Sequence, residues 1–474
     1  MKRKLCLVLA LVIAFSLSMT GCKKKKASTD GIYTLDWYIV CNTVPSKVSD
    51  VEAKVNEYIK DKIGAKLKIH YLTWTQYDEK LNVMNAGGEK YDICWTCGDT
   101  YRLNAAKNAY LPLNDLMDKY APKTKALVGD EFLKGSQING KNYGVPANKD
   151  KGHSAGIIYR KDLAEKYNLV DKLSKVKSFE ELYPLMDVIK KNEPDIEPLL
   201  EGNSTNSGYL LMFDTFAFPA GIFLDNPDEV VNYVESPQYK EVCEQSRYNL
   251  VNKYSLNGDA PEEQQFIQFS PLKAGKDKEL SAARKYEWVQ IELTDRWMSA
   301  GDTTGSLMAI SRTSENPEKA MQFLELFNTD KYLNNLIVFG IEGVNYNKID
   351  DNTIEPIKNS GYDNIGMQWV FGNTFLNYNV KGEDPDRVNE MEKFNESLKP
   401  AADLGFVFDT ESVKTEVGAC QNVRSEFAPR LNEGTADVDK TLAEYKSKLK
   451  AAGCDKIMEE AKKQYKEWRK KNKK

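Results

Sequence analysis

From residue 33 onward the apolar positions of the chain switch between a two-residue and a three-to-four-residue period. Tyr33 to Val40 reads as a strand, after which Val48, Val51, Val55 and Ile59 share one face of a helix over about residues 47–63, ended by Gly64. Leu67, Ile69 and Tyr71 then alternate with Lys66, Lys68 and His70 as a half-buried strand. A second helix over 75–86 is stopped by Gly87-Gly88, and Tyr91 to Cys94 makes a third short strand. Alternating strands and helices predict parallel strands joined by right-handed crossovers, an α/β architecture.

The same pattern continues with interruptions. An Asn139-Gly140 hairpin turn leads into Tyr143-Gly144-Val145-Pro146, and Gly156-Ile157-Ile158-Tyr159 opens another strand before a helix from Lys161 to Tyr167. Residues 146–155 between them read as a crossing segment. The middle of the chain is helix-rich, with a capped start at Ser178 and Glu181 and another at Ser236-Pro237. A short apolar strand over Ser306 to Ser311 follows, then a helix opened by Asn316-Pro317 with Ala320, Phe323, Leu324 and Phe327 facing a core. Val438, Leu442, Tyr445 and Leu449 predict one long amphipathic helix from Asp437 to Trp468. With no internal repeat visible, the chain reads as two α/β lobes between which it passes more than once.

The amino terminus carries a different signal. Lys2, Arg3 and Lys4 precede an apolar run from Leu5 to Leu17, too short to span a bilayer comfortably, which gives way to Ser18-Met19-Thr20-Gly21-Cys22. This resembles a bacterial lipobox, with Met19 where Leu is usual. The resemblance implies a signal peptide over 1–21, acylation of Cys22, and anchoring to the outer face of the cell membrane. Lys23 to Lys26 begin a polar tether over 22–31 that suits anionic lipid head groups.

A length of 474 residues supplies two domains with substantial cores. The net charge of −4 becomes more negative once the three cationic leader residues are removed, which disfavours nucleic-acid binding. Without Cys6 and Cys22, the cysteines left are Cys41, Cys94, Cys97, Cys243, Cys420 and Cys454, too dispersed for a disulfide framework and read as buried thiols. His70 and His153 are the only histidines, leaving little material for zinc sites or histidine-based catalysis. No metal and no cofactor is expected. Aromatics, at 11% with 25 tyrosines and seven tryptophans, are the informative excess.

Three stretches carry a family resemblance. Tyr143-Gly144-Val145-Pro146 with Ile158-Tyr159-Arg160-Lys161-Asp162-Leu163 forms one, and Ile310-Ser311-Arg312-Thr313-Ser314-Glu315-Asn316-Pro317-Glu318-Lys319-Ala320 a second. Gly340-Ile341-Glu342-Gly343-Val344-Asn345-Tyr346, Trp369-Val370-Phe371-Gly372-Asn373 and Gly405-Phe406-Val407-Phe408-Asp409 make the third. Together they resemble the extracellular solute-binding proteins of sugar ABC importers, the two-lobed type that includes maltose-binding protein, in the LplA-type lipoprotein subset. That resemblance implies a periplasmic-binding-protein-like (type II) fold, each lobe a mostly parallel sheet flanked by helices, with a hinge of crossing strands. It implies lobe 1 over 32–148 and 305–355, and lobe 2 over 149–304 and 356–474, including a helical C-terminal region over about 400–470. The implied partners are a carbohydrate held between the lobes and the transmembrane subunits of an ABC permease, with the receptor itself monomeric.

Sugars combine apolar C–H faces with hydroxyls, so a sugar cleft needs aromatic platforms beside carboxylates or amides at strand ends. Trp37, Trp74 and Trp95 each fall near the end of a predicted strand, with Asp99 just beyond, and they are the first-lobe candidates. Tyr209, Trp288, Trp369 and Asn373 are the second-lobe candidates. Arg312 and Glu342 read as hinge or lobe salt-bridge residues rather than ligand contacts. Three rivals stay open: an oligopeptide receptor, a cell-surface glycan-processing enzyme, and a thiol oxidoreductase built on Cys94-Trp95-Thr96-Cys97.

Overall fold

The computed structural model describes residues 31–200, 212–255 and 260–472. The signal peptide, the tether, Cys22 and Tyr209 therefore lie outside the described residues.

The chain enters through β1 (Tyr33–Cys41), β2 (Ala65–Thr73) and β3 (Ile93–Thr96), linked by helices Val48–Ile63 and Trp74–Gly87. Gly64 ends the first helix in the left-handed region at φ 59°, a conformation that costs a residue without Cβ little. Short helices lead to β4 (Gly144–Pro146), and the chain then crosses to β5 (Ser154–Arg160) and β6 (Glu197–Leu200). A small sheet of β7 (Phe213–Ala217), β8 (Ala220–Phe223) and β9 (Asn226–Asn232) precedes the helix Pro237–Val251. After β10 (Gln265–Leu272) and β11 (Trp288–Glu292), the chain returns through β12 (Trp297–Met298) to β13 (Leu307–Ile310).

The first-lobe sheet has the order β2-β1-β3-β13-β4 and the second-lobe sheet the order β11-β5-β10-β6. β1 pairs in parallel with β2 and β3, while β13 runs against β3 and β4. In the second sheet β5 runs against β10 and β11, and β10 pairs in parallel with β6. The reversed strand in each sheet is thus the first one after a crossing. A strand entering from the hinge must start at the end where its neighbours finish, which reverses it.

Each lobe has its own apolar core. In the first, Leu35, Trp37 and Ile39 of β1 join Val51, Val55 and Ile59 of the first helix and Phe323, Leu324 and Phe327 of helix Pro317–Thr329. In the second, Ile157 and Tyr159 of β5 pack with Leu185, Met186 and Ile189. A third cluster joins the small sheet and helix Pro237–Val251 to the C-terminal helices through Tyr239, Phe427, Leu442, Tyr445 and Ile457.

Several expectations need correction. Residues 356–380 pack with the first lobe: Tyr362, Met367, Phe371 and Tyr378 join its core. β14 (Tyr346–Lys348) and β15 (Thr353–Pro356) pair with each other, and β15 pairs with β16 (Asn379–Val380), holding that segment to the first lobe. Tyr362 and Asn364 also donate to the Ile337 carbonyl, at 2.6 and 3.4 Å. The long tail helix is two helices, Val438–Ala451 and Cys454–Asn472, because Gly453 lies between them at φ 90°, outside helical space. Ser178 does not cap its helix; Glu181 instead accepts from the Lys177 amide at 2.8 Å, ahead of a 3-10 turn Glu180–Leu182 and the helix Tyr183–Asn192. Ser236 and Asn316 do cap theirs, accepting from Tyr239 and Lys319.

Three segments cross between the lobes side by side. His153 and Trp297 exchange backbone hydrogen bonds at 2.8 and 2.9 Å, and β12 pairs in parallel with β17 (Lys399–Pro400). The Asn395 side chain links to the first crossing by accepting from the Lys151 amide and donating to the Lys149 carbonyl. Gly152 is required there, since a Cβ on it would stand 2.2 Å from the Trp297 carbonyl oxygen. Gly152→Ala must separate these strands, and overpacking of this kind costs about 1–3 kcal/mol. Urea unfolding of this variant is expected to show that loss, and a wild-type midpoint would contradict the close approach.

Candidate ligand-binding site

The carboxyl ends of β2 and β3 carry two of the predicted tryptophans, and a turn from residue 368 brings a third. Trp74 opens helix Trp74–Gly87, Trp95 lies on β3, and Trp369 sits in the 3-10 turn Gln368–Val370. The Trp74 and Trp369 rings are 6.0 Å apart and 15° from parallel. Trp95 meets both edge-on, at 5.5 Å from Trp74 and 6.0 Å from Trp369. Edge-to-face and offset geometries are those the ring quadrupoles favour.

Hydrogen bonds fix the orientation of the cluster. Trp95 Nε1 donates to Ser306 Oγ at 3.0 Å, and the Tyr77 hydroxyl donates to the Trp95 carbonyl at 2.6 Å. Trp74 Nε1 donates to Asn42 Oδ1 at 2.9 Å. Exposure is graded across the three rings: Trp95 is buried, Trp369 half-buried, and Trp74 is 43% exposed. The cluster therefore presents an anchored aromatic face to solvent at the strand ends, where α/β folds place their ligands.

The remaining candidates fall elsewhere. Trp37 is fully buried, edge-on to Phe323 at 5.6 Å and Phe327 at 5.5 Å, so it is a core residue of the first lobe and not a stacking platform. Trp288 is buried against Ile158 and Leu272 in the second lobe, with Nε1 donating to Glu262 at 3.2 Å. Asp99 stands fully exposed at the start of helix Gly98–Ala106, paired with Arg102 at 3.1 Å. Asn373 is buried in the hinge, where its Oδ1 accepts from Asn148 at 3.0 Å and its Nδ2 donates to the Asn328 carbonyl at 2.8 Å. Trp369, assigned to the second lobe from sequence, packs on the first. Glu342 lies 3.9 Å from Lys348, whereas Arg312 donates to the Asn108 amide oxygen rather than to an acid.

Asn42 and Ser306 were missed. Each directly adjoins a strand that ends or begins at this edge, and that position was the signal available for finding them.

The six described cysteines are all free thiols. Burial pushes Cys94 up to about 12 and also raises Cys97. A thiol oxidoreductase needs the opposite, an exposed sulfur with a lowered pKa. Among the described residues no group of acidic, histidine and cysteine side chains has the arrangement of a metal site.

The hinge carries a titratable cluster. His153 Nδ1 lies 2.9 Å from Asp302 Oδ1; burial lowers its pKa, but the hydrogen bond and charge of Asp302 outweigh burial and leave it raised. Nearby, Asp214 Oδ2 accepts from the Ala300 amide at 3.2 Å. Burial, reinforced by the Asp302 charge, pushes Asp214 up to about 6, and burial beside Asp214 raises Asp403 well above the carboxylate range. The charge of Lys149 acts on His153 and that of Arg102 on Asp403.

The geometry is that of a two-lobed binding protein with an aromatic patch at the strand ends of its first lobe, and the sequence comparisons agree. Residues 45–333 match the bacterial extracellular solute-binding protein family, to which this chain belongs. Residues 402–470 match a separate domain of unknown function. A carbohydrate ABC transporter substrate-binding protein of Streptococcus pneumoniae serotype 4 is 30% identical, over 98% of this chain and 97% of its own. The crystal structure of the N-glycan transport solute-binding protein NgtS from Streptococcus pneumoniae is 29% identical, with a TM-score of 0.85 over 93% of this chain and 100% of NgtS. Its complex with Man1GlcNAc gives 0.76 over 92% and 99%, and its complex with Man5GlcNAc 0.73 over 93% and 100%, both at 29% identity.

The raised groups of the hinge set a direction for pH dependence. Each binds protons more tightly folded than unfolded, so its contribution is complete below its unfolded pKa and is lost as pH rises through its folded one. For Asp214 that window runs from the ordinary carboxylate value of about 4 to about 6, and for His153 it begins at about 6.5. The melting temperature is expected to fall between pH 5 and pH 7, and Asp403→Asn, which holds no titrating proton, is expected to flatten that slope. Thermal melts across this range decide it; an unchanged slope would contradict a shared carboxyl pair.

Proposed function

We propose that this chain is the carbohydrate receptor of an ABC importer, capturing an oligosaccharide between its lobes and releasing it unchanged to the permease. The observation that carries this reading is the convergence of Trp74, Trp95 and Trp369 from three separate elements at the strand ends of the first lobe, with Trp74 43% exposed. An exposed indole face anchored by hydrogen bonds is the surface on which a sugar ring stacks, and the amide of Asn42 stands beside it to meet hydroxyls. The relatives named above, a carbohydrate ABC receptor and an N-glycan receptor with crystallised glycan complexes, support the same ligand class.

The TM-score is 0.85 for one NgtS crystal structure and falls to 0.76 and 0.73 for its glycan complexes, at one sequence identity and nearly one coverage. It supports a receptor whose lobes rearrange about the hinge around a ligand. A glycan-processing enzyme would place a general acid opposite a nucleophile or base across the sugar. The polar side chains bonded to the tryptophan rings are instead Asn42 and Ser306, neither of them an acid.

Isothermal titration of the purified protein with Man1GlcNAc and Man5GlcNAc tests the reading. Binding without hydrolysis is expected, and Trp74→Ala is expected to weaken it about fivefold, the scale of about 1 kcal/mol that aromatic contacts contribute. Trp37→Ala, by contrast, should act on stability, since it empties a core position. Wild-type affinity in Trp74→Ala, or appearance of cleaved sugar, would count against the reading.

The receptor is held at the outer face of the cell membrane through lipid on Cys22. Support comes from the lipobox-like Gly21-Cys22 and from membership of an extracellular family. Cys22→Ala is expected to move the protein from the membrane fraction to the culture medium, and continued sedimentation with membranes would overturn the anchor.

A further inference from the structure

The first lobe holds a groove of about 620 Å³ that the tryptophan cluster does not occupy. This volume lies within the roughly 300–1,000 Å³ typical of small-molecule sites. One wall is the segment directly after β1, with Asn42 and Val44; the other is a loop carrying Asn359, Ser360 and Ile365, ending at Met367. The groove adjoins the cluster at both walls, through Asn42, which is bonded to Trp74, and through Met367, two residues before Trp369.

The walls are held in place before any ligand arrives. The Lys47 amide donates to the Gly361 carbonyl at 2.9 Å, tying one wall to the other. Gly361 has φ +83°, and a Cβ there would stand 2.6 Å from Lys47 Cγ, so the two walls approach as closely as a glycine allows. Beneath them the Tyr71 and Tyr362 hydroxyls share a hydrogen bond of 2.8 Å, and Asn364 Nδ2 donates to the Val338 carbonyl at 3.2 Å.

The exposed chemistry is that of a neutral sugar site. An indole N–H can only donate, so the oxygen of the Asn42 amide must face Trp74, and its NH2 is left to donate elsewhere. Asn359 adds a second exposed amide. Val44 at 48% and Ile365 at 37% exposure supply apolar surface for C–H faces. Lys358 and Asp363 also line the groove and balance in charge, which favours an uncharged ligand over a uronate or a phosphate.

We propose that this groove is a second sugar subsite, taking the outer rings of an extended or branched neutral oligosaccharide whose inner ring stacks on the tryptophan cluster. The proposal rests on the carbohydrate-receptor reading. It assigns chain-length preference to the first lobe alone, through the residues after β1 and the 358–367 loop.

The test compares Man1GlcNAc with Man5GlcNAc by isothermal titration on wild type, Val44→Trp and Ile365→Trp, which fill the groove from opposite walls at exposed positions. Wild type is expected to bind Man5GlcNAc the more tightly. Each variant is expected to weaken Man5GlcNAc at least tenfold while changing Man1GlcNAc less than twofold, with melting temperatures near wild type showing that both still fold. Equal effects on the two glycans, or none on Man5GlcNAc, would overturn the subsite and leave the receptor reading intact. If wild type binds neither glycan, the receptor reading falls and the subsite with it.

Discussion

The structure depends on the close lateral hydrogen bonding of three crossing segments. His153 and Trp297 pair backbone to backbone, the Asn148 amide meets Asn373, and the Asn395 side chain bonds both the Lys149 carbonyl and the Lys151 amide. These contacts are short and directional, and Gly152 permits a backbone approach that any side chain would block. The first-lobe core runs up to this joint, since Ala155, Met298 and Ala401 are buried in it and Trp297 and Leu398 pack against it.

The same joint explains the strand directions. β5 and β13 each enter their sheet from the hinge and run against most of their neighbours, while the other strands of the first-lobe sheet end toward the hinge side. Strand ends and the loops after them are consequently gathered at one edge of the first lobe, and Asn42, Trp74 and Trp95 meet there because they follow or end β1, β2 and β3. The hydrogen bonds to Ser306, Asn42 and the Trp95 carbonyl then fix the ring orientations, so the aromatic surface is formed ahead of any ligand.

The C-terminal helices form a body of their own with the β7–β9 sheet and helix Pro237–Val251, joined by stacked and tilted aromatics such as Phe427 on Tyr445 at 5.2 Å and Phe216 on Tyr465 at 5.0 Å. Its contact with the hinge runs through Asp214 of β7 and Asp403, whose raised carboxyls face the His153–Asp302 pair.

Local pattern alone determined the α/β class, most helix and strand spans of the first lobe, the crossing near residue 150, and the caps at Ser236 and Asn316. These follow from periodicity and from backbone conformations that few residues tolerate, information a short window contains. Which tryptophans face solvent was not in any such window. Trp37 lies in the middle of β1, where helix Pro317–Thr329 folds back over it, whereas Trp74 directly follows the end of β2 and nothing described covers it to the same degree. Trp369 joined the first-lobe cluster, and Asn373 the hinge, because the chain returns through residues 356–380 by β-pairing with partners elsewhere in the sequence. Burial is a property of surfaces brought together from distant parts of the chain, and for these residues only the tertiary structure decided it.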